Sequence, residues 1–217
     1  MLSFAAGVML AASCFSLILP AIAHLRHEGA GVLAASITVS LSVLLGAFFI
    51  AAMNRMVPAL TDFDADALRT RRLWLFVFAI TFHNIPEGMA VGVSFANGVP
   101  VGTATALGIG VQNIPEGLAV GFALLTTGMR TGRAWCLALA SGLVEPIAGL
   151  GGAALVHAAL PVMPWALGVA AGAMLYVVAM DIIPESFDGR AVSKHWVSGA
   201  LLVGLGTMTF LDIAMAA

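Results

Sequence analysis

Seven stretches of this chain are long, mostly apolar runs: roughly residues 1–23, 31–53, 73–96, 101–128, 134–157, 164–185 and 195–216. A helix needs about 20 residues to cross the hydrocarbon of a bilayer, and each run is at least that long. Lipid cannot hydrogen-bond a backbone, so only helices and closed barrels span it. A barrel would show polar and apolar residues in alternation, and these runs do not. With 61% of its residues hydrophobic, 9% charged and a mean hydropathy of +1.04, the chain has more apolar sequence than one globular core could hide. The expected fold is therefore all-α, a polytopic transmembrane helix bundle forming one domain over 1–217, with a polar cytoplasmic loop at 54–72. Cys14 and Cys136 both lie in apolar runs and give neither a disulfide framework nor a thiolate cluster. No basic nucleotide site appears, so no nucleic-acid partner is expected.

Two of the runs contain carboxylates at their centres. His83 to Gly88 reads HNIPEG and Gln112 to Gly117 reads QNIPEG. A charged side chain at that depth costs at least about 2.5 kcal/mol, so Glu87 and Glu116 need a reason to be there. A cation supplies one. At roughly 100° per residue, His83 and Glu87 project from one helix face about 40° apart, with Asn84 beside them. Gln112, Asn113 and Glu116 repeat the layout, so two facing helices would direct an imidazole, two carboxylates and three amides at one small volume. Pro86 and Pro115 leave the carbonyls of Phe82 and Val111 without their helical partner, as further oxygen donors. Gly88 and Gly117 are expected to let the helices approach closely.

Orientation follows from the basic residues. Arg55, Arg69, Arg71, Arg72, Arg130, Arg133, Arg190 and Lys194 fall in the second, fourth and sixth connections, and only Arg26 lies on the other side. By the positive-inside rule the N-terminus is cytoplasmic and the C-terminus outside. A second repeat pairs AAGVML at Ala5–Leu10 with AAGAML at Ala170–Leu175, each followed by a proline, Pro20 or Pro184. These helices run in opposite directions across the membrane, the pattern of an inverted-repeat transporter with its ion site near the midplane. The later copy is preceded by a span carrying Glu145 and Pro146, whereas the earlier copy is preceded by none. A further N-terminal span is expected either to be missing from this sequence or to have been lost from this version of the protein.

The paired motifs, together with the later VEP at 144–146, resemble those of the ZIP (Zrt/Irt-like) family of divalent-metal transporters, bacterial branch. The resemblance covers essentially the whole chain. It implies that the seven spans correspond to the family's second to eighth helices, and that metal moves into the cytoplasm by an elevator-like motion through a binuclear site. Position by position, it implies one metal site from Met9, His83, Glu87, Gln112 and Glu116. A second would comprise Asn84, Glu87, Asn113, Glu116 and Glu145, with Glu87 and Glu116 bridging. Bacterial relatives often carry an aspartate where Asn113 stands, so the second site here has one charge fewer. Where the family often has a histidine and an acid, this chain has Met180 and Asp181; Asp181 and Glu185 are the candidates for an exit path. The resemblance also implies a home in the bacterial inner (plasma) membrane.

Nitrogen and oxygen donors with one thioether suit Zn2+ and tolerate Cd2+, Fe2+, Mn2+ or Co2+. Without thiolates, metal is bound but not trapped, as transport requires. Three glutamates in low dielectric repel one another, so metal is expected to displace a proton from the empty site. An enzyme is not expected: HNxxE lacks the second histidine of HExxH, and no Gly-x-Ser-x-Gly motif is present. A channel using the same ligands is the alternative, as is a metal-binding membrane protein inactive without its missing helix. The bland readings are a carboxyl staple for Glu87, Glu116 and Glu145, a hydrogen-bonded core histidine for His83, interhelical glue for Asn84, Gln112 and Asn113, and packing for Met9. His24, His27, Asp62, Asp64 and Asp66 read as solvated loop residues, and Asp212 as interfacial. The small-residue faces at Ala140–Gly142 and Gly149–Gly152 suit close packing within a protomer or in a homodimer.

Overall fold

The computed structural model describes residues 2–56, 65–95, 98–188 and 193–215. Among them the chain forms seven helical rods and no strand: α1 Leu2–His27, α2 Val32–Met56, α3 Ala65–Ser94, α4 Val99–Thr126, α5 Thr131–Ala154, α6 at 156–188 and α7 Lys194–Met215. Five of these, α1, α2, α5, α6 and α7, are long and apolar enough to cross a membrane. The other two, α3 and α4, match them in length at 30 and 28 residues. They carry the duplicated motif, whose Asn, Pro and Glu residues lower their hydropathy. Gly29, Gly98 and Gly128 provide the positive φ at which three of the connections turn.

Two boundaries differ from the hydropathy reading. The helices extend into the expected loop at 54–72, with α2 running through Met56 and α3 starting at Ala65; Asp62, Asp64 and the side chain of Asp66 lie outside the described residues. A helix end that projects into water satisfies its backbone as readily as a loop does, so charge there does not terminate it. The junction between α5 and α6 is a single residue, Leu155 (φ −119°, ψ 35°), and α6 begins at Val156 rather than near 164. Pro161 and Pro164 lie inside α6. They leave the carbonyls of His157 and Leu160 without helical partners, which a helix tolerates near the end of a span. Within α5 the helix breaks at Leu143, beside Gly142, whose carbonyl loses its partner to Pro146.

The inverted repeat is visible in the backbone. In α1 the residues Ser13–Ile18 are wound as a π-helix, and the Leu19 N–H donates to the Cys14 carbonyl just before Pro20. In α6 the residues Val178–Ile182 do the same, with the Ile183 N–H on the Val178 carbonyl just before Pro184. Each π segment starts eight residues after the first alanine of its AAG motif. The packing repeats too. Gly7 faces the Leu201 carbonyl of α7, and Gly204 faces the Phe4 carbonyl of α1. In the other copy Gly172 faces the Val43 carbonyl of α2, and Gly46 faces the Val169 carbonyl of α6. In all four cases the facing carbonyl belongs to the residue three before the partner glycine, and a methyl group would land on it. Met9 and Met174, the matching methionines, are both fully buried. The outer side of α2 exposes Leu33, Ile37, Leu41, Leu44 and Phe48, a stripe suited to lipid.

Candidate metal centre

The two motif copies meet as the helical geometry requires. His83 and Glu87, one turn apart on α3, face Glu116 on α4. The His83 Nε2 lies 3.5 Å from Glu87 Oε1 and 3.2 Å from Glu116 Oε2. One potential ligand atom from each of the three residues falls within 4.8 Å of the others. All three side chains are buried. The Nδ1 of His83, the Oε2 of Glu87 and the Oε1 of Glu116 are buried with no hydrogen-bond partner, and the imidazole is the one neighbour of Glu116 Oε2 among the described residues. Buried carboxylate oxygens left without donors are costly unless something positive comes to them, and these three residues could together hold a cation.

Around this trio the amides are held by neighbours. The Asn113 Nδ2 donates to both oxygens of Glu145 at 2.6 Å, tying α4 to α5. Its own Oδ1 is buried without a partner. The Asn84 Nδ2 donates to the Ser141 carbonyl at 3.0 Å, tying α3 to α5. The helix break at Leu143 lies between Ser141 and Glu145, so both reach the motif helices from either side of it. Gln112 is buried, and its Nε2 donates to Asp212 Oδ1 at 2.7 Å.

Met9 is fully buried on α1, with its carbonyl accepting the Ser13 hydroxyl at 2.8 Å. Asp181 is buried in the π segment of α6 and is not one of the three clustered residues, while the side chain of Glu185 lies outside the described residues. The two motif glycines differ. Gly88 approaches the Glu145 carbonyl so closely that a methyl would collide with it, and Gly92 does the same to Gly149, so the close contact is between α3 and α5. Gly117 has nothing within 4 Å of where its Cβ would stand, so the expectation that it allows a close approach is wrong. The motif repeats in sequence, but only α3 has a helix pressed against its glycine.

The structure adds Asp212, whose place near the end of its apolar run suggests only an interfacial residue. It is buried on α7, and its Oδ1 accepts hydrogen bonds from Ser16 at 2.6 Å as well as from Gln112. The signal that could have found it is the one that found Glu87 and Glu116: an acid inside an apolar run needs a reason.

A family model described as ZIP Zinc transporter matches residues 61–212. The zinc transporter GufA of Myxococcus xanthus is 44% identical over 180 residues, 81% of this chain and 71% of that protein. The zinc transporter ZIPB of Bordetella bronchiseptica is 40% identical over 225 residues, covering 99% of this chain and 71% of that protein. This chain belongs to the ZIP zinc transporter family. Human zinc transporter ZIP11 is 44% identical over 153 residues, 67% of this chain and 44% of its own length. As a ZIP protein of bacterial type, built from apolar helices, the chain is a multi-pass membrane protein whose family transports metal. The family match spans both motif helices, the Glu145 helix and Asp212.

Proposed function

We propose that this chain carries divalent transition-metal ions, Zn2+ foremost, across the membrane into the cytoplasm by way of His83, Glu87 and Glu116. The observation that carries the reading is the buried trio itself, with its unpartnered carboxylate oxygens on two helices long enough to span the bilayer. Names borne by the relatives, all zinc transporters, support zinc as the substrate. Gln112 and Met9 complete the first site, and Asn84, Asn113 and Glu145 form the second with the same two glutamates. Glu145 held by Asn113 gives that second site a carboxylate already oriented. Three carboxylates and one imidazole bind a dication firmly, while the amides and the thioether keep its release possible. Asp181, further along α6, is the first group on the way out. On the positive-inside rule the N-terminal end of α1 is cytoplasmic, and the path runs toward it.

The test is zinc uptake into proteoliposomes holding the chain, beside a Glu116→Ala variant. Saturable flux that is lost in the variant is the expected result. Equal flux from both proteins would remove the trio from the path. If both fold but neither moves zinc, the test is repeated with an N-terminal span restored; silence there would overturn transport and leave metal binding alone.

A further inference from the structure

Asp212 is 8% exposed, and while its Oδ1 accepts the Ser16 hydroxyl and the Gln112 amide, its Oδ2 is buried with no partner. These three residues line a cavity of about 820 Å3 that also reaches Glu87. Its walls come from the C-terminal half of α1, the N-terminal half of α4 and the C-terminal end of α7, with Phe15, Leu19 and Ile109 among them. In an up-and-down bundle those segments share one end, so the cavity descends from one membrane face to the edge of the metal centre. Gln112 stands at the junction. It precedes Glu116 by one helical turn, yet its amide nitrogen is committed to Asp212.

We propose that Asp212, with the Ser16 hydroxyl and the Gln112 amide, is a loading site where a divalent cation from the cavity is held before it passes to His83, Glu87 and Glu116. This rests on the transport reading given above. The donor set suits the task. A single carboxylate with a hydroxyl and an amide offers only oxygen to a metal, which binds Zn2+ more weakly than a site with an imidazole and two carboxylates. The cation therefore moves inward down a gradient of ligand strength. A cation arriving at Asp212 also displaces the Gln112 N–H from its acceptor. The freed amide then turns its oxygen to the metal and is one turn from Glu116, so one side chain serves both stations.

The competing account is that Asp212 merely positions Gln112, and Asp212→Asn separates the two because it keeps an oxygen acceptor for both donors and removes the charge. In the uptake assay Asp212→Asn is expected to raise the apparent KM for zinc about tenfold with the maximal rate within about twofold, the pattern of a lost binding step. Asp212→Glu is expected to restore the native KM. A second readout does not depend on transport. In a Glu87→Gln/Glu116→Gln background, equilibrium dialysis with Cd2+ should find weak residual binding that Asp212→Asn removes and Glu145→Gln leaves. Native KM and unchanged Cd2+ binding in Asp212→Asn would overturn the proposal, as would a fall in maximal rate alone or residual binding that follows Glu145. If Asp212→Asn does not fold, Asp212→Ser takes its place with the same expectations. Failure of the transport reading shows itself elsewhere, as no zinc flux from the folded chain even with an N-terminal span restored, and leaves the dialysis result to decide the loading site.

Discussion

Asn113→Asp should turn the second, weaker site of the proposed metal centre into a tight one. The Asn113 Nδ2 sits 2.6 Å from both oxygens of Glu145, so an aspartate there brings two carboxylates into contact where the native chain has a hydrogen bond. Two unit charges about 4 Å apart repel by about 4 kcal/mol at an effective dielectric constant of 20. A dication shared between them removes that repulsion, which is worth up to about three orders of magnitude in affinity. Protons compete for the same pair, so the measured gain at neutral pH should be smaller, about 10- to 100-fold. Calorimetric titration of detergent-solubilised protein with Cd2+ or Zn2+ is the assay. The variant should bind its second metal within the measurable range, and zinc uptake should slow because release becomes harder. An Asn113→Asp protein that is folded and binds metal as the native chain does would refute the reasoning. It would mean that Asn113 and Glu145 form a strut between α4 and α5 and lie off the path of the ion.

The other expectations concern the trio, the protons and the glycine contacts. His83→Ala removes the imidazole that lies beside both glutamates, and zinc uptake at low metal should fall at least about tenfold, measured as kcat/KM in proteoliposomes. Lowering the pH from 7.5 to 5.5 with metal below saturation should weaken uptake, because metal binds only the unprotonated imidazole and carboxylates; constant flux would count against proton displacement. Gly172→Ala places a methyl on the Val43 carbonyl and should destabilise the protein by about 1–3 kcal/mol, seen as a lower thermal midpoint, whereas Gly117→Ala meets nothing inside its helix and should leave the midpoint unchanged or raise it slightly. Gly7→Ala, the mirror position, should match Gly172→Ala within the error of the measurement.

What could be read in advance depended on how local its physics is. Span length and a carboxylate in the middle of an apolar run are properties of a single helix, and so the seven rods and the His83, Glu87 and Glu116 cluster were legible. The helix ends were not, because a proline pair such as Pro161 and Pro164 looks like a connection in hydropathy and is tolerated in α6 once the chain has turned at Leu155. Gly117 misled for a related reason: its sequence context copies that of Gly88, but whether a glycine is needed depends on which backbone faces it, and only Gly88 has α5 against it. Asp212 shows the same limit for function. Its partners Ser16 and Gln112 lie 196 and 100 residues away in sequence, and no periodicity links an acid near the end of α7 to an amide on α4. The inverted repeat lies between these cases. AAGVML and AAGAML could be matched by eye, but their partner segments, Val43–Gly46 and Leu201–Gly204, share little beyond a leucine and a glycine. Only the backbone shows that both copies seat glycine against the carbonyl three residues before the other glycine. Such a contact constrains the chain through the absence of a side chain, and a sequence repeat weakens first where almost any residue except one glycine will do.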